Sequence, residues 1–186
     1  MDQVVEFMRD FIKAEHATQL VLYTESDETV LLAKLDQLEA FYAPGVEPSV
    51  KAPVARDAAY FEQAKKSLAT VQPRVLFQIK HYKHPKMGDL YRCYLSENIR
   101  AGDKASYFAN LYVADRKGQL QIVSQYLICL DCDGTGRIDG KRCPECKGKG
   151  WDYFYGVRIA NPGELIEVRK LHKPDNPQQL AEYEAE

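Results

Sequence analysis

Hydrophobic positions in the first third of the chain recur every three to four residues, which predicts helices. A first helix starts near Asp2 and presents an apolar stripe over residues 4–12. A second is predicted from about Asp27 to Tyr42, and a third follows Asp57. Capping side chains are offered by Asp2 for the first helix and by Thr24 or Ser26 for the second.

After Pro73 the apolar period changes to two, which is typical of strands. Six segments rich in Val, Ile, Tyr and Phe are bounded by turn residues. The predicted strands are 74–83, 89–97, 105–114, 119–130, 151–160 and 164–171. Short connections such as Asn161-Pro162-Gly163, which fits a type II turn, predict an antiparallel meander.

These segments predict an α+β fold: three N-terminal helices packed on a curved, about six-stranded antiparallel sheet. Strand 119–130 carries apolar residues on both sides, so the sheet either curves strongly or packs a partner on its open face. We expect one domain over 1–172, with a hairpin inserted at 129–150. Residues 173–186 form an acidic C-terminal tail or a short helix.

The hairpin carries the clearest chemical motif of the chain, a CxxCxGxG repeat that occurs twice. A CxxC turn brings two thiols to one side of a tight knuckle, and two facing knuckles provide four soft ligands at tetrahedral corners. The pattern predicts one structural Zn2+ ion. The predicted zinc ligands are Cys129, Cys132, Cys143 and Cys146.

Other uses of four cysteines fit this segment less well. Disulfides need an oxidising compartment, and a thioredoxin-type site places its CxxC between a strand and a helix, whereas glycines follow both pairs here. A zinc deaminase needs an open coordination position and an H-x-E segment, and the sequence contains no H-x-E. A site closed by four thiolates is structural.

The repeat from Cys129 to Gly150 resembles the cysteine-rich repeats of DnaJ-type chaperones. Those proteins carry four repeats and a His-Pro-Asp signature, whereas this chain has two, and His84-Pro85 is followed by Lys86. The resemblance implies the zinc geometry and a protein contact at the hairpin tip. It does not imply a chaperone.

The larger order of elements, helices first and then a curved meander over 1–172, resembles the nuclear-transport-factor-two-like cone fold (cystatin-like α+β). That fold hosts isomerase-type enzymes, small-ligand binders, transport adaptors and bacterial immunity proteins that neutralise toxins. The fold alone does not choose among these functions.

Charge is unevenly distributed along a chain whose net charge is −2. Residues 1–70 carry seven Lys or Arg and twelve Asp or Glu, whereas residues 71–174 carry eighteen and eleven. Basic residues concentrate in the cysteine hairpin, where we expect them to bind a partner: Arg137, Lys141, Arg142, Lys147 and Lys149. Nucleic acid is a weaker alternative, because the pI of about 6.1 is low for such a domain.

Catalytic motifs are missing from the sequence, and the four histidines read as solvated or capping residues. Cys93 reads as a buried structural thiol, and Asp152 beside Tyr153 and Tyr155 is the nearest acid to an isomerase-type site. We therefore expect non-catalytic protein binding, through the projecting hairpin or the open aromatic face of the sheet, with an immunity-type protein as the most specific interpretation. A small-molecule-binding cone, or an isomerase or lyase, is the alternative.

Location is predicted from the absence of targeting features. No apolar run approaches the ~20 residues of a membrane span, and the acidic start lacks the layout of a signal peptide. We expect a cytoplasmic protein without a membrane partner.

Overall fold

The computed structural model describes residues 1–53, 56–68, 71–96, 107–129, 131–132 and 135–171. Its helices and strands, in chain order, are α1 (Asp2–Thr24), α2 (Glu28–Glu39), α3 (Ala58–Leu68), β1 (Val75–His84), β2 (Gly88–Ser96), β3 (Tyr107–Arg116), β4 (Gln119–Ile128), β5 (Arg137–Ile138), β6 (Lys141–Arg142), β7 (Trp151–Gly156) and β8 (Glu164–Lys170). Three helices and a six-stranded antiparallel sheet confirm the predicted α+β class. The predicted tail, 173–186, lies outside the described residues.

Helix α1 runs well beyond the apolar stripe that predicts it. Its buried face continues from Ile12 through Glu15 and Thr18 to Leu22, so two polar residues interrupt the pattern. Each polar group has a partner: Glu15 Oε1 lies 3.2 Å from Arg74 Nη1, and the Thr18 hydroxyl donates to the Ala14 carbonyl at 2.8 Å. Paired polar groups can be buried at moderate cost, which allows the helix to continue.

The starts of the helices differ from the predicted caps. Asp27, rather than Thr24 or Ser26, caps α2, because its carboxylate accepts the Thr29 N–H at 2.8 Å. Asp2 lies inside the first turn of α1, and its carboxylate pairs with Arg169 of β8. Helix α2 also ends at Glu39, three residues before the predicted end at Tyr42.

The sheet has the order β7-β4-β3-β2-β1-β8, and all neighbouring strands are antiparallel. Strands β1 to β4 form the predicted meander, and β7 continues it after the cysteine hairpin. The expectation that residues 161–163 join adjacent strands is wrong, because β7 and β8 lie at opposite edges. The predicted strand 151–160 accordingly ends at Gly156.

The connection between β7 and β8, residues 157–163, crosses the sheet. Five strand spacings amount to about 24 Å, and eight residue steps reach at most about 28 Å, so this crossing segment must be nearly extended. A glycine at each end lets the segment pack closely against the sheet. An added Cβ atom at Gly156 would lie 2.5 Å from the Val123 carbonyl oxygen, and one at Gly163 would lie 2.2 Å from the Lys83 carbonyl oxygen. The turn at Gly163 exists, with φ of +98°, but it places the chain against β1.

The two faces of the sheet differ in chemistry. Apolar residues such as Ile79, Cys93 and Leu111 pair across neighbouring strands and are fully buried in the core. Phe11 of α1 belongs to the same core and makes edge contacts with Phe41 and Tyr42 at 5.7 and 5.8 Å. The alternate positions carry a more polar, aromatic set that shares the other face of the sheet: Arg92, Tyr94, Asn110, Tyr112 and Tyr126.

Within the described ranges, every helix is too short or too polar to cross a lipid bilayer.

Candidate metal centre and basic hairpin

The cysteine hairpin joins β4 to β7 and has a small ladder of its own. Strands β5 and β6 pair Arg137 with Arg142 and Ile138 with Lys141. Asp139 and Gly140 connect them with φ values of +51° and +75°, as in a type I′ turn. Apart from Pro144 and the cysteines, Ile138 is the single apolar residue from 131 to 150, so the hairpin has no aliphatic core.

The four cysteines predicted as ligands lie together inside the hairpin. Their sulfur atoms all lie within 4.8 Å of one another, and each residue is buried. Cys129 Sγ lies 4.0 Å from Cys143 Sγ, and Cys132 Sγ lies 3.7 Å from Cys146 Sγ. Metal–sulfur bonds of about 2.3 Å at tetrahedral corners place sulfurs about 3.8 Å apart. The cluster can therefore hold a metal ion.

A disulfide interpretation does not fit this geometry. Sulfur atoms in a disulfide lie about 2.05 Å apart, much closer than the 3.7 and 4.0 Å of the two cysteine pairs. None of these four described cysteines forms a disulfide.

The two repeats are related by reciprocal backbone hydrogen bonds. The Cys129 N–H donates to the Gly150 carbonyl at 3.2 Å, and the Cys143 N–H donates to the Gly136 carbonyl at 2.8 Å. The first cysteine of each repeat is thus hydrogen-bonded to the last glycine of the other repeat. The matching thiols also accept matching N–H groups: Gly136 N–H donates to Cys132 Sγ, and Gly150 N–H to Cys146 Sγ, both at 3.2 Å.

The Gly150 N–H favours the thiolate form of Cys146, which is the form that a metal requires. Burial opposes ionisation of Cys146, but the Gly150 N–H and the neighbouring thiols outweigh it and lower the pKa of that thiol to about 7. The pKa of Cys143 is raised: a hydrogen bond from the Cys146 backbone lowers it, but burial and the thiols of Cys146 and Cys132 have the larger combined effect.

The close approach of the two repeats requires glycine at Gly136. A Cβ atom there would lie 2.6 Å from the Gly148 carbonyl oxygen, closer than any real contact, and φ is +74°. Gly140 has nearly the same φ, +75°, with nothing within 4 Å of its added Cβ. Substitution of Gly136 therefore tests both the close contact and the positive φ, whereas substitution of Gly140 tests the positive φ alone.

All five cations predicted to bind a partner are exposed on this hairpin. Arg137 Nη1 donates to the Gly140 carbonyl at 3.1 Å, and Arg142 Nε donates to the Lys147 carbonyl at 2.7 Å. Lys149 Nζ lies 5.0 Å from the centre of the Trp151 ring. The backbone of the hairpin thus fixes the orientation of both arginines.

His84 and the fifth cysteine occupy ordinary positions of the kind that the sequence predicts, whereas His16 is half-buried in α1 and His172 lies outside the described residues. His84 Nδ1 accepts two turn N–H groups, and His81 Nε2 lies 2.9 Å from Asp89 Oδ1. Cys93 is fully buried, and burial raises the pKa of its thiol. The side chain of Asp152 lies outside the described part, so its predicted role stays a prediction.

Sequence reasoning misses two features of this region. The first is the turn at Asp139-Gly140, although an Asp-Gly pair is a strong hairpin signal. The second is the presence of arginine among the aromatic side chains on the outer face of the sheet, where the sequence predicts only an open aromatic face. Alternation of Arg92 and Tyr94 along β2 marks that cluster, but only the register of β2 with β3 places Tyr112 beside it.

Comparison with protein families, with curated proteins and with solved structures finds no match. The architectural resemblance to the nuclear-transport-factor-two-like fold and the resemblance of the repeat to DnaJ-type chaperones therefore stay predictions. Support for a metal at the four cysteines comes from the chemistry and geometry of these residues alone.

The two glycines give a test of the steric requirement. We expect Gly136→Ala to lower the affinity for a divalent metal by at least about tenfold, because the repeats must separate. Gly140→Ala, with the same positive φ and open space, costs about 1 kcal/mol of strain and keeps the affinity near that of the wild type. Titration of both variants against a chromophoric chelator measures the difference. Equal affinities would show that the Gly136 contact does not shape the site.

Proposed function

We propose that the cysteine cluster holds one structural zinc ion, and that the basic hairpin folded around it binds an acidic surface on another protein. The observation that carries the proposal is the placement of four buried sulfurs, within 4.8 Å of one another, beneath five exposed cations.

Zinc is favoured over other metals by the donor set. Four thiolates in a closed tetrahedral arrangement suit zinc and leave no position for a substrate, which favours a structural role. Such thiolates must stay reduced, and we therefore keep the prediction of a cytoplasmic location.

The hairpin surface is pre-ordered for binding. Because backbone carbonyls already hold Arg137 and Arg142, little further side-chain entropy is lost when they meet carboxylates. Ile138, 37% exposed, adds an apolar contact between these charges. Charged groups around an apolar residue are typical of a protein interface.

A protein partner is favoured over nucleic acid by this same composition. Single-strand binders interleave basic groups with aromatic rings on which bases stack, whereas residues 131–150 contain no aromatic residue. The narrower interpretation, an immunity-type protein that neutralises a toxin, depends on the architectural resemblance and stays a prediction.

Loss of a single ligand tests the metal. We expect protein purified under reducing conditions to carry one zinc per chain, and Cys132→Ser to lose it, because a neutral hydroxyl does not replace a thiolate ligand. Cys93→Ala is the matched control, since that cysteine lies in the main core. Elemental analysis measures both. Wild-type protein without zinc, or full zinc retention in Cys132→Ser, would contradict the proposal.

Chelation tests whether the hairpin is a separate unit. The main core contains none of the four cysteines, which form a cluster of their own. Metal binding at such sites contributes on the order of 10 kcal/mol of free energy. We therefore expect a strong chelator to unfold the hairpin and to move the amide NMR signals of residues 135–150 to random-coil positions. The signals of α1 and β3 should persist. Loss of all signals in one cooperative step would show that the metal belongs to the main core.

Charge reversal tests the partner surface. Arg137→Glu, Lys141→Glu and Arg142→Glu together should slow association most strongly at low salt, where electrostatic steering is largest. The matched control is Lys86→Glu, Arg116→Glu and Lys117→Glu, the same change of charge in exposed turns at the other end of the strands. Each tagged protein is incubated with lysate in two samples, one treated with nuclease and one untreated. Retained proteins are identified, and their binding rates are measured.

The proposal predicts a protein retained by the wild type and by the control variant but lost from the hairpin variant, with zinc content unchanged. Identical binding by the hairpin variant and the control would show that the basic residues of the hairpin do not contribute to partner binding. Binding that disappears on nuclease treatment would instead identify nucleic acid as the partner.

A further inference from the structure

The sheet face with the aromatic residues contains a cavity that the hairpin proposal does not use. It has a volume of about 280 Å³ and lies between strands β2 to β4 and the crossing segment. That volume equals about nine water molecules and is close to the lower limit for small-molecule sites. The lining residues used below are Arg92, Tyr112, Tyr126, Trp151, Arg158 and Pro162.

The charge of the cavity is positive. Two guanidinium groups, Arg92 and Arg158, line it, and the described lining residues include no carboxylate. Arg92 Nε donates to Asn110 Oδ1 at 3.1 Å, which fixes the plane of the group and uses one of its five N–H donors. A guanidinium fork matches the oxygen spacing of a carboxylate or a phosphate.

The aromatic walls are rigid and uncharged. Tyr112 is 2% exposed, and its ring meets that of Tyr126 edge to face at 5.7 Å. Burial is the main cause that raises the pKa of Tyr126, so its hydroxyl stays neutral and adds no negative charge. Arg92 lies 4.7 and 5.9 Å from the ring centres of Tyr94 and Tyr112, which holds the cation against flat surfaces. Flat, apolar surfaces of this kind accept a planar ring.

Trp151 connects the cavity to the metal centre. It follows Gly150, whose carbonyl accepts the Cys129 N–H at 3.2 Å and whose own N–H donates to Cys146 Sγ at 3.2 Å. On the strand side, Trp151 pairs with Ile128 of β4. The backbone before and after this residue is thus fixed, which makes Trp151 a stable wall.

We propose that this cavity binds a small planar anion, an aromatic ring that bears a carboxylate or a phosphate group. Arg92 and Arg158 bind the anionic group, and the rings of Tyr112, Tyr126 and Trp151 surround the plane. This site lies between the outer face of the sheet and the crossing segment, and none of the five hairpin cations is among its described lining residues.

The single tryptophan of the chain reports directly on this site. Its indole N–H gives one signal in a ¹H–¹⁵N NMR spectrum, which is followed while full-length protein is titrated with benzoate, phenyl phosphate, benzamide or inorganic phosphate. We expect a saturable shift with benzoate or phenyl phosphate, and none with neutral benzamide. The stronger of the two anions identifies the carboxylate or the phosphate as the preferred group.

Two variants test the arginines. Arg158→Met removes an exposed side chain from the crossing segment and should fold normally, while its affinity for the aromatic anion falls roughly tenfold or more. Arg92→Lys keeps the charge but loses the fork, and it should weaken binding as well. Arg116→Met, at the exposed last residue of β3, is the control and should bind like the wild type.

Three results would overturn the proposal. The first is the lack of a saturable shift with either aromatic anion. The second is an equal shift with one of the two control compounds. An equal shift with benzamide would show that the negative charge is not needed, and an equal shift with inorganic phosphate would show that the aromatic ring is not needed. The third is wild-type affinity in Arg158→Met. None of these results bears on the hairpin contact, because the hairpin test measures protein partners through other residues.

Discussion

Packing of four thiols into one small volume is the constraint on which the hairpin depends. The chain from 131 to 150 has a single aliphatic residue, so hydrophobic burial cannot fold it. The sulfurs instead occupy the position that a core would fill, and each repeat closes on the last glycine of the other. Everything else in the hairpin follows from this closure: the contact at Gly136, the turn at Asp139-Gly140 and the fixed orientation of the two arginines.

Local chemistry made part of this structure predictable from sequence. The CxxCxGxG repeat identifies all four clustered cysteines, because metal-binding turns are encoded within a few residues. Strand positions in β1 to β4 follow from an apolar period of two and from turn residues. The predicted end of α2 and the predicted caps were wrong, because Asp27 bonds to the Thr29 N–H and ends of helices depend on single hydrogen bonds.

Long-range pairing explains the rest of the differences. The length of α1 depends on Glu15 meeting Arg74, which lies 59 positions away, so the helical stripe looks interrupted when α1 is read alone. Likewise, Asn161-Pro162-Gly163 has the composition of a hairpin turn, but β8 does not pair with β7. It pairs instead with β1, at the opposite edge of the sheet. The cavity on the outer face exists only because the crossing segment passes over Arg92 and Tyr112.

The crossing segment and the cysteine hairpin act on the same strand from its two ends. Strand β7 begins directly after Gly150, which is hydrogen-bonded to Cys129 and Cys146 of the cysteine cluster. It ends at Gly156, where the backbone passes close to the Val123 carbonyl oxygen. β7 is one of the two edge strands of the sheet, and an edge strand frays more readily than a central one. Trp151 begins β7, and Arg158 follows the end of that strand by two residues. Because both residues line the cavity, the order of this edge strand influences the shape of the cavity. A metal bound by the four thiolates would therefore stabilise more than the hairpin tip, because it would also stabilise one wall of the sheet face to which the arginines and tyrosines belong.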